Sequence, residues 1–421
     1  MTRAEASTIR TAWRDNPQWR KLYVARATSL LGSWLNALAL VHLLTHGQAE
    51  ASGAALALAI VFVLKQLPLS FLGPAAGVLA DRFDRRRILI VTELLSVAVA
   101  LSFLFLEPGG PAIWVYLLAG TQMAITAFFL PAFQALVPAL VQPKDLASAN
   151  VAFAATWSIV FATGSAIGGI MLELFGWRAA IVLDAVSYLV SVLLVLAIKY
   201  ESPVRAPSTA RGIARALGIA DLRDGIRYIR GHAEVARLIL VKLGWGTMGA
   251  ITLFLTLLGR TEDYRIGTSP ESGVAFLWVS RALGTLFGPL LAHRWARGDP
   301  RRLERTLTVA FFVAPTFYVL AAMCTNPWLG GAFVLTAHLG GATLWVISTV
   351  LLQRLVPDEF RGRTFAVDVA LFMLTASATQ LVYAFLIDAQ LLELRTTIVV
   401  AASICLIPAA LWLRRPSAER R

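Results

Sequence analysis

Charge is scarce in this sequence. Only 15% of its 421 residues are Asp, Glu, Lys or Arg, whereas soluble domains carry about 25%. That argues against a soluble enzyme and against the two or three soluble domains that the length alone would suggest. Cysteine is scarcer still. Cys324 and Cys405 are the only two, both in apolar runs, so neither a disulfide framework nor a thiolate metal site is readable. The five histidines, His42, His46, His232, His293 and His338, are scattered. They offer no cluster for a metal or for the chemistry of an integral-membrane enzyme. No Gly-x4-Gly-Lys-Ser/Thr loop occurs, so ATP drive is not indicated, and no cofactor is expected. The first 20 residues contain Arg3, Arg10, Arg14 and Arg20 but no apolar core, unlike a cleaved signal peptide.

Apolar residues are abundant, at 57%, with a mean hydropathy of +0.69. Runs such as 22–44, 88–106 and 398–413 are nearly uncharged. About 20 such residues cross a bilayer as a helix. The pattern predicts twelve spans: 22–45, 52–78, 88–106, 112–134, 149–174, 179–198, 236–258, 272–292, 305–324, 328–352, 364–387 and 395–413. They are too continuous for the alternating strands of an outer-membrane barrel. Lipid leaves no other way to satisfy backbone groups, so the expected class is an all-α integral membrane protein.

Positive charge orients the spans. Thirty Lys and Arg fall in the tails and even-to-odd connections, four on the opposite side (Arg178, Arg260, Arg265 and Arg395), and four inside spans. Both termini are therefore expected in the cytoplasm, in a cell inner membrane. The net charge of +13 is then mostly a topology signal, and no nucleic-acid partner is needed.

The chain also resembles itself at an offset near 215–219. Phe71-Leu72-Gly73-Pro74 matches Leu286-Phe287-Gly288-Pro289, and Gln134-Ala135-Leu136-Val137-Pro138 matches Gln353-Arg354-Leu355-Val356-Pro357. Six spans per half make the repeat parallel, as in many secondary transporters. The expected organisation is a six-helix bundle over 1–199, a cytoplasmic linker over 200–235, and a second six-helix bundle over 236–421. Within the linker, 221–237 reads as a basic amphipathic helix, lying either on the anionic inner leaflet or in solvent as a connector.

Gly77-Val78-Leu79-Ala80-Asp81-Arg82-Phe83-Asp84-Arg85-Arg86-Arg87 resembles the signature loop between helices 2 and 3 of the major facilitator superfamily, with Asp84 in place of the second glycine. The resemblance covers the whole chain. Val137-Pro138 to Asn150, Asp221 to Ile229 and Pro357 to Arg363 are similar to segments of bacterial drug and siderophore exporters. The implied fold is that of the superfamily, two six-helix bundles with alternating access. Gly77 permits a close helix approach, and Asp81 suits a helix N-terminus. The resemblance makes that helix span 11. The expected latch of the outward-open state comprises Gly77, Asp81, Arg82, Arg85, Arg86, Arg361, Arg363 and Asp368. The alternative is an Arg-rich loop that only sets topology.

By the same resemblance, spans 1, 4, 7 and 10 line a substrate cavity offering Asn36, Gln122, Thr126, Lys242, Trp245, His338, Trp345 and Ser348. Rings with a few polar groups suit a bulky, partly apolar solute, and helix packing is the competing role for each residue. Gly164-Ser165-Ala166-Ile167-Gly168-Gly169 resembles the antiporter motif with Ser165 in place of Pro. Gly164, Gly168 and Gly169 are expected to pack against Gly284 and Gly288 of span 8.

Ionisable residues inside spans are costly and functional by default. Arg26, Lys65, Glu93, Asp184 and Arg281 are the candidates for proton coupling or buried charge, and Asp368 is a further carboxylate of this kind. Snorkelling is the other reading of Arg26 and Lys242. Span 4 lacks the antiporter arginine, and span 1 has Ser33 where such exporters often show Asp, so coupling must use other carboxylates. The expected function is efflux of a small amphipathic compound (drug, siderophore or secondary metabolite) by proton antiport. The expected partners are the small-molecule substrate, protons and membrane lipids, with the chain acting as a monomer. A lipid or lysophospholipid flippase of the same fold, and a non-transporting sensor, are the alternatives.

Overall fold

Apolar continuity without strand-like alternation forces the backbone to bond within each segment. In the computed structural model, which describes residues 9–46, 53–68, 71–72, 76, 79–80, 83–200, 219–296 and 299–413, these segments are helices. In chain order they are α1 (Ile9–Asp15), α2 (Pro17–Thr45), α3 (Ala54–Leu64), α4 (Arg85–Ser102), α5 (Ala112–Leu140), α6 (Leu146–Leu196) and α7 (Ile219–Gly231). There follow α8 (Ala233–Gly246), α9 (Ile251–Gly259), α10 (Pro270–Ala296), α11 (Pro300–Met323), α12 (Pro327–Leu355), α13 (Asp358–Asp388) and α14 (Leu394–Leu413).

Among the described residues, ten helices are long and apolar enough to cross a membrane, with α3 as a shorter apolar helix. One of the ten, α6, holds two expected spans. It turns at Gly176, whose φ of 77° and ψ of 171° suit a residue without Cβ. The expected second span, 52–78, appears as α3, and much of the remainder lies outside the described residues. The expected seventh span is broken. Thr247, Met248 and Gly249 bond three residues back, at 3.2, 3.0 and 2.9 Å, between α8 and α9. A Cβ on Gly249 would lie 2.2 Å from Cα of Ala376, so glycine is what lets α13 pass there.

The chain divides into two units, one of Met1–Gly47 with Leu64–Leu217, the other of Gln48–Val63 with Gly218–Arg421. In unit 1, α2 starts earlier than its apolar run. Pro17 opens it without needing an N–H, and Trp19 and Leu22 are buried with Phe129, Phe133, Leu136 and Val137. The carboxylate of Asp388 accepts from the backbone N–H of Ala55 (3.1 Å) and Leu56 (2.7 Å), capping α3 within unit 2. Gln380 Nε2 donates to the Ala59 carbonyl at 3.2 Å.

The linker helix is shorter than expected. It stops at Gly231, and His232, with φ −131° and ψ 96°, leads into α8. One side of α7 rests on the start of α13. Tyr228 stacks on Phe360 at 4.5 Å, Asp224 pairs with Arg363 at 3.8 Å, and a Cβ on Gly225 would meet the Arg363 carbonyl at 2.7 Å. Arg223, Arg227 and Arg230 stay exposed.

The four arginines of the sparsely charged side are all paired with carboxylates. Arg178 meets Glu107 at 3.2 Å, Arg260 meets Glu271 at 2.7 Å, Arg265 meets Glu262 at 2.7 Å, and Arg395 meets Asp263. Neutralising these charges leaves the positive excess at the other ends of the spans.

Candidate functional site

Two polar centres lie inside the apolar helices, one in each unit. In unit 1, Arg26, Ser33 and Asn36 share one side of α2 by helical spacing, and Asp184, Tyr188 and Ser191 share one side of α6. The two sides meet. Asn36 Nδ2 donates to Asp184 Oδ2 at 2.6 Å. Ser33 Oγ and the Tyr188 hydroxyl share a hydrogen bond of 3.0 Å. Gln122 Nε2, from α5, donates to the same hydroxyl at 3.1 Å. Ser191 Oγ donates to Glu93 Oε1, from α4, at 2.8 Å.

Arg26 lies over the rings of Phe129 and Phe133, at 5.2 and 5.9 Å, within electrostatic reach of Glu93. Lys65 is within electrostatic reach of Asp184. The column therefore reads Arg26, Glu93, Tyr188, Asp184, Lys65: two carboxylates, each within electrostatic reach of a cation, with the phenol of Tyr188 one helical turn from Asp184 and within electrostatic reach of Glu93. Asp184 is 0% and Glu93 2% exposed. Each carboxylate has one oxygen held by a donor and one bare. Glu93 Oε2 and Asp184 Oδ1 have no hydrogen-bond partner among the described residues. An unpaired oxygen of a buried carboxyl is where a proton can reside.

The close fit of α2 on α6 has a visible cause. A Cβ on Gly32 would lie 2.0 Å from Ser187 Oγ and 2.7 Å from Asp184 Oδ1. Gly164 and Gly168 serve the same helix pair, against Trp34 and Leu31 and against Leu38 and Leu35 respectively. Gly169 is buried. Gly284 and Gly288 lie against the carbonyls of Leu335 and Leu339 in α12, where a Cβ would be 2.3 and 2.4 Å away. Gly164 and Gly168 thus pack against α2, and Gly284 and Gly288 against α12.

In unit 2, Lys242 and Asp368 form an ion pair, with side chains 2% and 1% exposed. The ammonium also lies over Trp345 at 4.7 Å and Phe365 at 5.6 Å. Lys242 does not snorkel, and Asp368, expected in the latch, has its partner inside unit 2. Elsewhere in the same unit, Arg281 Nε donates to His338 Nε2 at 3.0 Å and Arg281 Nη1 donates to Thr252 Oγ1 at 2.6 Å. A guanidinium only donates, so His338 Nε2 accepts and its proton sits on Nδ1, bonded to the Tyr318 hydroxyl. The histidine is thereby held neutral. Trp245 meets it edge-on at 6.1 Å.

Other expected residues bond locally. Thr126 Oγ1 donates to the Gln122 carbonyl at 2.9 Å, and Ser348 Oγ to the Trp345 carbonyl at 3.1 Å. Arg85 donates to the Ala135 carbonyl at 2.7 Å, Arg86 to those of Val195 (3.0 Å) and Leu196, and Arg361 to that of Val356 at 3.3 Å. Gly77, Asp81 and Arg82 lie outside the described residues. Sequence reasoning passed over Tyr188, Ser191, Tyr318 and Thr252. The signal for the first two was present, since Asp184, Tyr188 and Ser191 recur at helical spacing in an otherwise apolar run.

Residues 22–379 match the family model described as Major Facilitator Superfamily. The chain is 25% identical over 357 residues to macrolide efflux protein A of Streptococcus pyogenes, covering 82% of this chain and 83% of that protein. It is also 25% identical over 358 residues to a putative bacilysin exporter, BacE, of Bacillus subtilis, covering 83% and 84%. Among solved structures, the nucleoside transporter NupG superposes with a TM-score of 0.72 at 14% identity, over 94% of this chain and 98% of that one. At that identity the likeness is one of fold.

Proposed function

The chain belongs to the Major Facilitator Superfamily, and from that premise we propose that this membrane transporter exports a small amphipathic compound in exchange for protons, with Glu93 and Asp184 as the proton carriers. The observation that carries the reading is the buried column of unit 1, in which each carboxylate keeps one oxygen bare. Glu93 and Asp184 are each set against a cation, Arg26 and Lys65. Protonating a carboxylate removes its attraction to that cation, which is how a proton changes the balance between two conformations. Tyr188, one helical turn from Asp184 and within electrostatic reach of Glu93, supplies a hydroxyl near both. Efflux is the direction named for the relatives in Streptococcus and Bacillus.

The cargo would be handled by the cavity residues Asn36, Gln122, Thr126, Lys242, Trp245, Trp345 and Ser348, alternating between the two sides of the membrane. His338, bonded on both ring nitrogens, would shape that cavity rather than carry a proton. Gly77, Asp81, Arg82 and Arg85 would hold the cytoplasmic latch. The cytoplasmic placement of both termini, in an inner membrane, rests on the lysine and arginine distribution. It is supported by the neutralised arginines of the opposite side.

The test is transport by purified protein in proteoliposomes carrying a lumenal pH dye, with a radiolabelled macrolide as the first cargo. Antiport requires that cargo movement and proton movement run in opposite directions, each driven by a gradient of the other. Cargo movement that leaves the lumenal pH unchanged and ignores an imposed pH gradient contradicts it.

A further inference from the structure

Just before the first apolar run the chain turns at Asn16, whose φ of −123° and ψ of 73° separate α1 from α2. The turn is held firmly. The Asn16 backbone N–H and side-chain Nδ2 both donate to the Ala12 carbonyl, at 3.2 and 2.9 Å. Nδ2 also donates to Asp145 Oδ2 at 2.9 Å, and Oδ1 accepts from the Gln142 N–H at 2.8 Å. Both partners lie in the α5–α6 connection, so α1 is stapled to the body of unit 1. Ala12 and Trp19 complete the attachment, buried in one cluster with Ala149 and Ala152 of α6.

The staple sets a depth. α2 begins at Pro17, five residues before the apolar run that starts at Leu22, a rise of about 7–8 Å. The headgroup layer on each side of a bilayer is about 5–8 Å thick. α1 therefore lies at headgroup level, on the side rich in lysine and arginine. Residues four apart share a helix face. Ile9 and Trp13 share one, 47% and 37% exposed, and Arg10 and Arg14 share the next, both exposed. The Trp13 ring is fixed edge-on against Trp19 at 6.1 Å and Tyr23 at 5.5 Å, with Arg20 of α2 lying 6.0 Å from it. The nearby cations differ in what they already hold. Arg14 pairs with Asp15 at 2.7 Å, and Lys21 donates to the Ala197 carbonyl at 2.6 Å. Arg10 and Arg20 are exposed and stand beside the Ile9–Trp13 face.

An indole and an aliphatic side chain held outward at headgroup depth, with guanidinium groups beside them, fit an anionic bilayer surface. The rings of such helices sit at the interface, and their cations meet lipid phosphates. We propose that α1 is a surface anchor that docks on anionic phospholipid, with Ile9 and Trp13 among the headgroups and Arg10 and Arg20 on their phosphates. The inference needs only that the chain crosses a membrane. It is independent of the cargo and of proton coupling.

The experiment places a nitroxide at Ile9→Cys on the full-length protein, with Cys324→Ala and Cys405→Ala, in nanodiscs of phosphatidylcholine with or without phosphatidylglycerol. Collisions with oxygen and with a neutral nickel chelate report lipid and water around the label, and the spectrum separates docked from undocked populations. With phosphatidylglycerol the label should be immersed, and the docked-to-undocked ratio should fall in phosphatidylcholine alone. Arg10→Gln and Arg20→Gln should each lower that ratio about fivefold with phosphatidylglycerol, the worth of one basic residue at an anionic surface, and leave it unchanged in phosphatidylcholine. Arg14→Gln, whose guanidinium is already paired, should change it little. All three arginines are exposed, so the variants keep the fold. A label fully open to the nickel chelate in both lipids overturns the docking. Immersion that is equal in both lipids and indifferent to Arg10→Gln and Arg20→Gln overturns the anionic partner.

Discussion

Lys242 and Asp368 stand 126 residues apart in the chain and form an ion pair in which neither side chain is more than 2% exposed. Desolvating two charges is costly, and their attraction offsets that cost only while both are present. Removing one partner strands the other. Lys242→Met or Asp368→Asn should each destabilise the purified protein by about 3–5 kcal/mol, whereas the double variant should recover most of the loss. A thermal-unfolding double-mutant cycle reads this directly. Additive losses would mean that the pair contributes through something other than mutual neutralisation.

Glycine substitutions distinguish close helix contacts from open ones. Gly284→Ala and Gly288→Ala each drive a Cβ to within 2.4 Å of a carbonyl of α12. Overpacking of this kind costs about 1–3 kcal/mol. A Cβ on Gly362 meets nothing within 4 Å, so Gly362→Ala should be neutral or stabilising by about 0.5–1 kcal/mol. Melting temperatures of the three variants in one detergent make the comparison.

These contacts also mark where the sequence was legible and where it was not. Apolar continuity located the spans because lipid imposes one rule on every residue of a segment. It was silent on the break between Gly246 and Ile251, since no proline marks it. Within the break Gly249 lies against Ala376, a contact made at long sequence distance. Arg26, Lys65, Glu93 and Asp184 stood out as ionisable groups in apolar runs. Which cation faces which carboxylate depends on how α2, α4 and α6 are rotated, and single-helix patterns do not carry that. Lys242 and Asp368 were assigned to different roles for the same reason. Tyr188 was passed over because a phenol in an apolar helix resembles an ordinary packing residue.

The cap on α3 can be removed alone. Asp388→Ala leaves the N–H groups of Ala55 and Leu56 without their acceptor, a loss of about 0.5–2 kcal/mol. Asp388→Asn keeps an acceptor oxygen and should lose less. Cysteine introduced at Ala55, which is 1% exposed, should label faster with a soluble maleimide in the Ala variant than in the Asn variant. Equal rates would mean that the carboxylate does not hold this helix end.

The linker helix should loosen when its aromatic contact is lost. Phe360→Ala removes the ring on which Tyr228 stacks, leaving the Asp224–Arg363 pair, which at the surface contributes only about 0–1 kcal/mol. Limited trypsin digestion should then cut faster at Arg227 and Arg230. Unchanged cleavage would show that α7 is held by other contacts.

Proton carriage by Glu93 and Asp184 is tested most directly by comparing two modes of transport in the same vesicles. Gradient-driven efflux needs a carboxylate that binds and releases a proton in each cycle, whereas cargo exchange at equal pH does not. Glu93→Gln and Asp184→Asn are predicted to abolish the response to an imposed pH gradient, with exchange retained. Gradient-driven transport at the unmodified rate in the double variant would contradict the account.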